Sequence, residues 1–381
     1  MRSPTGRVHW LGTGLSTGSG LGLVCAEAER TLLWGRTADK AARHLAALDL
    51  AGAADPRALA PGALEAELNP GDLVVSMLPA TQHGGVLRTA LEHGAHFACS
   101  SYLSPEIAEQ AERARRAGSV VLTESGLDPG IDHLLGHDLV HRASREVGDR
   151  PVRARFTSYC GSNPAEPDEF RYRFSWAPRG VLTALLTPAR YLDDGEERTA
   201  ERPWEAVREV AVGAERFEAY PNRDSLPFID TYRFPASWRL ETFIRGTLRL
   251  AGWSAAWKPV FAELPEADED RITELAGELA AAHPSTPADR NRVVLSVGLE
   301  LDDENGPLWA GTEVLDVIGD DAESATPRLV SVGLACGVLD VLAGRTVPGL
   351  HQAAAEREAV RRWLDFLDGH GVRATFRGGA R

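Results

Sequence analysis

Residues Arg7-Val-His-Trp-Leu11-Gly12-Thr-Gly14-Leu-Ser-Thr17-Gly18 read as a strand running directly into a glycine turn, with an apolar segment following to Ala28. A strand, a glycine turn and a helix start in succession form the pattern of a dinucleotide site, because a tight turn lets backbone amides at a helix N-terminus approach a pyrophosphate. Gly12, Gly14, Leu15 and Ser16 are the residues of that turn expected to bind the cofactor. The pattern calls for a third glycine at position 17, which holds Thr17, so a plain strand-turn-helix connection competes with it.

The next element decides in favour of a nucleotide. Thr31-Leu-Leu-Trp34 makes a second strand ending at Gly35-Arg36-Thr37, where an NAD site places an acid about twenty residues after the first glycine. Arg36 and Thr37 instead suit a 2′-phosphate, since a guanidinium pairs with phosphate in near-ideal geometry, so the expected cofactor is NADP(H). Helices near Asp39–Leu48, Gly84–His93 and Pro105–Ala117 then alternate with strands near Arg57–Ala60, Asp72–Pro79, His96–Ser100 and Ser119–Thr123. That alternation predicts an α/β protein with a Rossmann-type, doubly wound parallel sheet. Its carboxyl-end turns carry Leu78 and Pro79, His83 close behind, and Ser100-Ser101-Tyr102, and ligands bind at such turns.

The last of these turns is Glu124-Ser-Gly-Leu-Asp-Pro-Gly-Ile-Asp-His133. Gly126 and Gly130 allow tight backbone geometry, Pro129 pushes Asp128 out of helical conformation, and three carboxylates and an imidazole gather near a strand end. A turn in which Asp128 merely caps the next helix is the competing reading.

From Pro151 the pattern changes to strand-like alternation, starting with Val152–Phe156, and a second domain begins. Glu196 to Arg216 reads as charged and largely helical, Glu241–Arg249 as a strand, Glu266–Asp289 as an acidic surface helix, Asn291–Leu301 and Glu313–Ile318 as strands. Arg328–Leu342 reads as a buried helix and Gln352–Leu367 as an amphipathic one. The resulting division is 1–128 for the nucleotide domain, with 340–381 packing back on it, and 129–339 for a catalytic and dimerisation domain with a helical insertion at about 196–290.

Composition narrows the class. At 381 residues, 43% hydrophobic and with a formal charge of -14, the chain is an ordinary globular one, and its acidity argues against nucleic acid or an anionic membrane as partner. The four cysteines, Cys25, Cys99, Cys160 and Cys336, have no Cys-x-x-Cys spacing, which implies thiols in a reducing compartment and neither a disulfide frame nor a zinc site. No apolar run approaches a membrane span, and Met1–Arg7 fits no signal peptide, so the expected location is cytoplasmic and no metal is expected.

Four segments together resemble the saccharopine dehydrogenase family, in its glutamate-forming branch: Ser100-Ser-Tyr-Leu-Ser-Pro105; Gly126-Leu-Asp-Pro-Gly-Ile-Asp-His133; Ser158-Tyr-Cys-Gly161 with Phe174-Ser-Trp-Ala-Pro-Arg-Gly-Val-Leu182; and Tyr220-Pro-Asn-Arg-Asp-Ser225 with Ile244-Arg-Gly-Thr-Leu248. They stand in the family's order across about residues 70 to 260. The resemblance implies a second α/β catalytic domain with a helical insertion, a homodimer, and a place in lysine metabolism. Its implied reaction is the NADP-linked interconversion of saccharopine with glutamate and 2-aminoadipate 6-semialdehyde through an imine. The resemblance maps Tyr102, Asp128 and Cys160 to catalysis, and Arg223, Asn222, Ser101, Ser175 and Arg245 to the substrate, with Arg179 a lower-ranked cation. Buried Cys160 also suits simple packing. The chain departs from the family at Thr17 and at Gly161-Ser162-Asn163-Pro164-Ala-Glu166-Pro167. Lysine 6-dehydrogenase, carboxynorspermidine dehydrogenase and a non-catalytic NADP-binding sensor are the alternatives.

Overall fold

The computed structural model describes residues 2–284 and 289–380. The chain divides into two compact units, one of residues 1–134, 327–354 and 362–371, the other of residues 135–326, 355–361 and 372–381.

The first unit is built on a parallel sheet. Strands β1 (Arg7–Leu11), β2 (Arg30–Gly35), β3 (Asp55–Ala58), β4 (Leu73–Ser76), β5 (His96–Cys99) and β6 (Val120–Leu122) lie in the order 6-5-4-1-2-3, and a strand from far downstream, Gly349–His351, adds beside β6. Every pairing is parallel. The short strands are almost wholly apolar and buried, as a sheet covered by helices on both faces requires. Helix starts are set by side chains: Thr37 Oγ1 accepts from Lys40 N at 3.1 Å ahead of Ala38–Ala47, and Ser104 Oγ accepts from Ile107 N at 3.3 Å ahead of Pro105–Glu109. The expected helix from Pro105 to Ala117 is interrupted at Gln110 and ends at Gly118 in left-handed conformation.

The second unit holds a mixed sheet. Its strands are β7 (Val152–Pro164), β8 (Ala189–Asp193), β9 (Glu196–Ala200), β10 (Arg208–Val212), β11 (Glu215–Pro221), β12 (Trp238–Leu250), β13 (Asn291–Asp303) and β14 (Gly306–Ile318). With β15 denoting the Gly349–His351 strand of the first unit, β16 (Thr375–Ala380) closes the sheet in the order 10-11-12-7-13-14-16, and β8 and β9 pair off its side. Only β12 and β7 run parallel. One face packs Tyr159, Phe217, Ile244, Leu248 and Val294 into an apolar cluster. Against the other, Tyr172, Trp253 and Trp257 join helices Pro178–Leu186, Lys258–Glu263 and Glu269–Ala282 in an aromatic core.

Three expectations change. The insertion at 196–290 is not mainly helical: β9, β10, β11 and β12 occupy its first half, and helices begin only at Trp253. Its charges sit on β9 and β10, whose residues are exposed or half-buried, and a solvated strand accepts charge as readily as a solvated helix. The last positions of the expected acidic helix, 285–288, lie outside the described residues. The return to the first unit begins at Pro327, not at 340, while residues 372–381 belong to the second unit through pairing of β16 with β14. Finally, helix Ala325–Leu342 is long and apolar enough to cross a membrane by composition, although most of it is buried inside the protein.

Candidate active site

The glycine turn after β1 is built for close backbone approach. Gly12 has φ 120°, and a Cβ there would lie 2.8 Å from the Met77 carbonyl oxygen, whereas a Cβ on Gly14 would meet nothing within 4 Å. Thr17 explains the missing third glycine: its side chain turns inward, donating to the Gly12 carbonyl at 3.1 Å and accepting from Trp10 Nε1 at 3.3 Å. The hydroxyl therefore ties the turn together from within and leaves the outer side of Gly12–Ser16 open. Leu15 is exposed at the tip. At the end of β2, Arg36 and Thr37 are exposed too, and Arg36 has no ion-pair partner among the described residues. These features fit a dinucleotide whose pyrophosphate meets the turn and whose ribose phosphate meets Arg36.

Beyond β4, Leu78 and Pro79 form an accessible rim. His83 behaves differently: it is buried, Nδ1 lies 2.9 Å from Ser76 Oγ and Nε2 lies 2.9 Å from Ser101 Oγ. Burial pushes its imidazole down to about 4, so a neutral ring bridges two strand ends and any influence on a ligand passes through Ser101. Ser100 Oγ contacts Met77 Sδ at 3.7 Å. Tyr102, next in line, donates its hydroxyl to Asp128 Oδ1 at 2.9 Å.

Asp128 sits in a hinge fixed by its own backbone. The Asp128–Pro129 peptide bond is cis, Gly126 N donates to the Pro129 carbonyl at 2.9 Å, and Asp132 Oδ1 accepts from Gly130 N at 2.7 Å. Gly130 has φ 146°, and a Cβ there would strike Gly126 backbone at 2.2 Å, so glycine is required. Asp132 and His133 stabilise this turn and the helix it opens, in keeping with the structural role expected of them.

In the second unit the β12–β7 register places Arg245 beside Ser158 and Thr247 beside Cys160. Alternation puts Arg245, Thr247 and Arg249 on the face shared by Ser158, Cys160 and Ser162. The Asn222–Ser225 loop is clasped to the same strand: Asn222 N donates to the Arg245 carbonyl at 3.0 Å, and Arg245 N donates to Ser225 Oγ at 3.0 Å. Arg223, at φ 60°, is exposed at the tip of this loop, and its carbonyl accepts from Arg190 N at 3.0 Å. The buried Arg245 guanidinium lies 4.0 Å over the Phe228 ring. Ser175 Oγ is 2.7 Å from Ser162 Oγ, which also meets Thr326 Oγ1 at 3.2 Å and accepts from Asn291 Nδ2 at 2.6 Å. Arg179 is half exposed and pairs with Glu269 and Thr273 on the surface.

Two residues of evident importance carried no signal. Arg249 is buried among Tyr172, Trp253 and Tyr220, with ring centroids 4.8, 5.6 and 5.8 Å from its guanidinium, and its Nε has no hydrogen-bond partner. A buried cation held by ring faces needs an anion; its strand was legible, but the loss of solvent was not. Ser225, fully buried, was read as the end of a polar loop and is in fact its clasp.

Residues 126–372 match the saccharopine dehydrogenase C-terminal domain and residues 8–122 the saccharopine dehydrogenase NADP binding domain. The chain is 30% identical over 315 residues to saccharopine dehydrogenase [NADP(+), L-glutamate-forming] of Schizosaccharomyces pombe, covering 74% of this chain and 64% of that protein. It is 39% identical over 205 residues to the Saccharomyces cerevisiae protein of the same name, covering 50% of this chain and 43% of that one. The chain thus spans less than two thirds of the length of these curated relatives. The solved apo saccharopine dehydrogenase (L-Glu forming) of S. cerevisiae superposes with a TM-score of 0.81 at 25% identity over 98% of this chain and 99% of that one. A homospermidine synthase from Legionella pneumophila shares the fold alone, with a TM-score of 0.64 at 9% identity over 97% and 91% of the two chains.

Proposed function

Because the chain belongs to the saccharopine dehydrogenase family, with its first unit matching that family's NADP-binding domain over residues 8–122, we propose that it interconverts saccharopine with L-glutamate and 2-aminoadipate 6-semialdehyde. The observation that carries this reading is the set of three arginines, Arg223 on the clasped loop and Arg245 and Arg249 on one face of β12. Saccharopine has three carboxylates, and guanidinium groups are the side chains best shaped to hold them.

In the synthetic direction the glutamate amine condenses with the aldehyde, water leaves, and a C=N bond forms. NADPH supplies the hydride that reduces this bond to the secondary amine. This chain's residues hold and polarise the reactants. Arginines fix the carboxylates so that the imine carbon is presented in one orientation. The Asp128 carboxylate, oriented by the Tyr102 hydroxyl, stabilises the positive charge of the protonated imine. Tyr102 and Cys160 are the groups assigned to proton movement at the substrate nitrogen. Arg36 takes the 2′-phosphate, and Gly12, Gly14, Leu15 and Ser16 present the turn to the pyrophosphate.

A cytoplasmic location and a homodimer belong to the same proposal; in support of the first, none of the four cysteines forms a disulfide among the described residues. The function is tested by following reduction of NADP in the presence of saccharopine.

A further inference from the structure

Glu124 does no chemistry in the account above, yet its surroundings are unusually specific. It is buried, with only 1% of its surface exposed, and its backbone adopts φ 51°, a strained choice for a residue with a side chain. Its N–H donates to the Ser101 carbonyl at 3.0 Å, and its Oε1 accepts from Leu103 N at 2.8 Å. These two bonds grip the residues immediately before and after Tyr102. Its Oε2 accepts from Gln352 Nε2 at 2.7 Å and pairs with His133 Nε2 at 3.1 Å. One carboxylate therefore joins the Tyr102 loop to the hinge that carries Asp128 and to the chain segment that follows β15.

We propose that Glu124 is a positioning residue for the reaction, holding the Tyr102 hydroxyl within hydrogen-bonding distance of Asp128. The inference rests on the reading of Tyr102 and Asp128 given above. Its physical basis is the cost of misplacement: a shift of about 1 Å in an oriented group can reduce a rate on the order of a hundredfold. The left-handed backbone aims the side chain back at the loop, so both the strain and the bonds serve the same placement.

Glu124→Gln is the direct test, because its amide nitrogen would face the donors of Gln352 and His133. The proposal expects kcat for NADP-linked saccharopine oxidation to fall about tenfold to a hundredfold, with the KM for NADP and the binding of NADPH near wild type. Adding Gln352→Glu returns an acceptor to the cluster and is expected to recover most of kcat. A wild-type kcat in Glu124→Gln overturns the proposal, as does a double variant that regains thermal stability without regaining kcat. If Glu124→Gln does not fold, Gln352→Met leaves the carboxylate with its other partners, and a smaller loss of kcat is expected; an unchanged kcat there overturns the proposal equally. Asp128→Asn measured alongside separates the two readings: a slow Asp128→Asn with a fast Glu124→Gln removes the positioning role alone, whereas wild-type turnover in Asp128→Asn removes the reading of the site and the positioning role with it. Amide exchange over residues 101–103, read with NADP bound, is independent of the substrate; faster exchange in Glu124→Gln is expected, and unchanged exchange contradicts the proposal.

Discussion

The Tyr102 hydroxyl donates to Asp128 Oδ1 across 2.9 Å, joining the turn after β5 to the hinge after β6. A carboxylate held by a phenol has its orientation fixed while keeping its charge, which suits it to stabilise a cation without taking up its proton. Asp128→Asn keeps the shape and removes the charge. The expected result is a fall in kcat of about a hundredfold, in the range for loss of one preorganised electrostatic contact, with NADPH affinity spared. Steady-state kinetics with a parallel NADPH titration checks it; wild-type turnover would reduce the stretch to a hinge.

Arg36 stands exposed at the end of β2 with no ion-pair partner among the described residues. Arg36→Ala is expected to weaken NADPH by about 1.5–3 kcal/mol, the worth of a hydrogen bond to a charged group, and to leave NADH nearly unchanged. Equal effects on the two nucleotides would contradict the 2′-phosphate assignment.

Arg223 and Arg249 are expected to act on the substrate and not the cofactor. Arg223→Ala and Arg249→Met should each raise the KM for saccharopine by the equivalent of about 1.5–3 kcal/mol. Because Arg249 is enclosed by Tyr172, Trp253 and Tyr220, methionine retains its packing while removing its charge. An unchanged KM with a lowered melting temperature would make Arg249 a packing residue.

His83 confers a pH dependence on stability. The folded imidazole is pushed down to about 4 by burial, while in the unfolded chain it titrates near its ordinary value of roughly 6.5. Between these values the unfolded chain binds the extra proton, so stability is fully present above about 6.5 and declines as pH falls toward 4, by up to roughly 3 kcal/mol. Denaturant unfolding of wild type and His83→Gln at pH 7 and pH 5 checks this: the wild type should lose more stability than the variant, and parallel losses would show that His83 does not titrate this way.

The parallel sheet was legible because its strands are apolar runs set off by glycine and proline turns, and Arg36 was legible because an acid was missing where one belongs. Thr17 looked like a flaw in the glycine pattern until the structure placed its hydroxyl on the Gly12 carbonyl. The stretch from Glu196 to Arg216 misled because charge density reports solvent exposure and says little about period, and β9 and β10 are solvated strands. Arg249, Ser225 and Glu124 escaped for a common reason: their significance lies in burial and in partners distant in sequence, such as Gln352 for Glu124, which no local spacing encodes.

The most direct measurement of the central claim follows reduced nicotinamide absorbance with saccharopine, lysine and carboxynorspermidine, each offered with NADP and with NAD. The account predicts turnover of saccharopine with a preference for NADP. Turnover confined to lysine or carboxynorspermidine, or no turnover of saccharopine by protein that binds NADPH tightly, would contradict it.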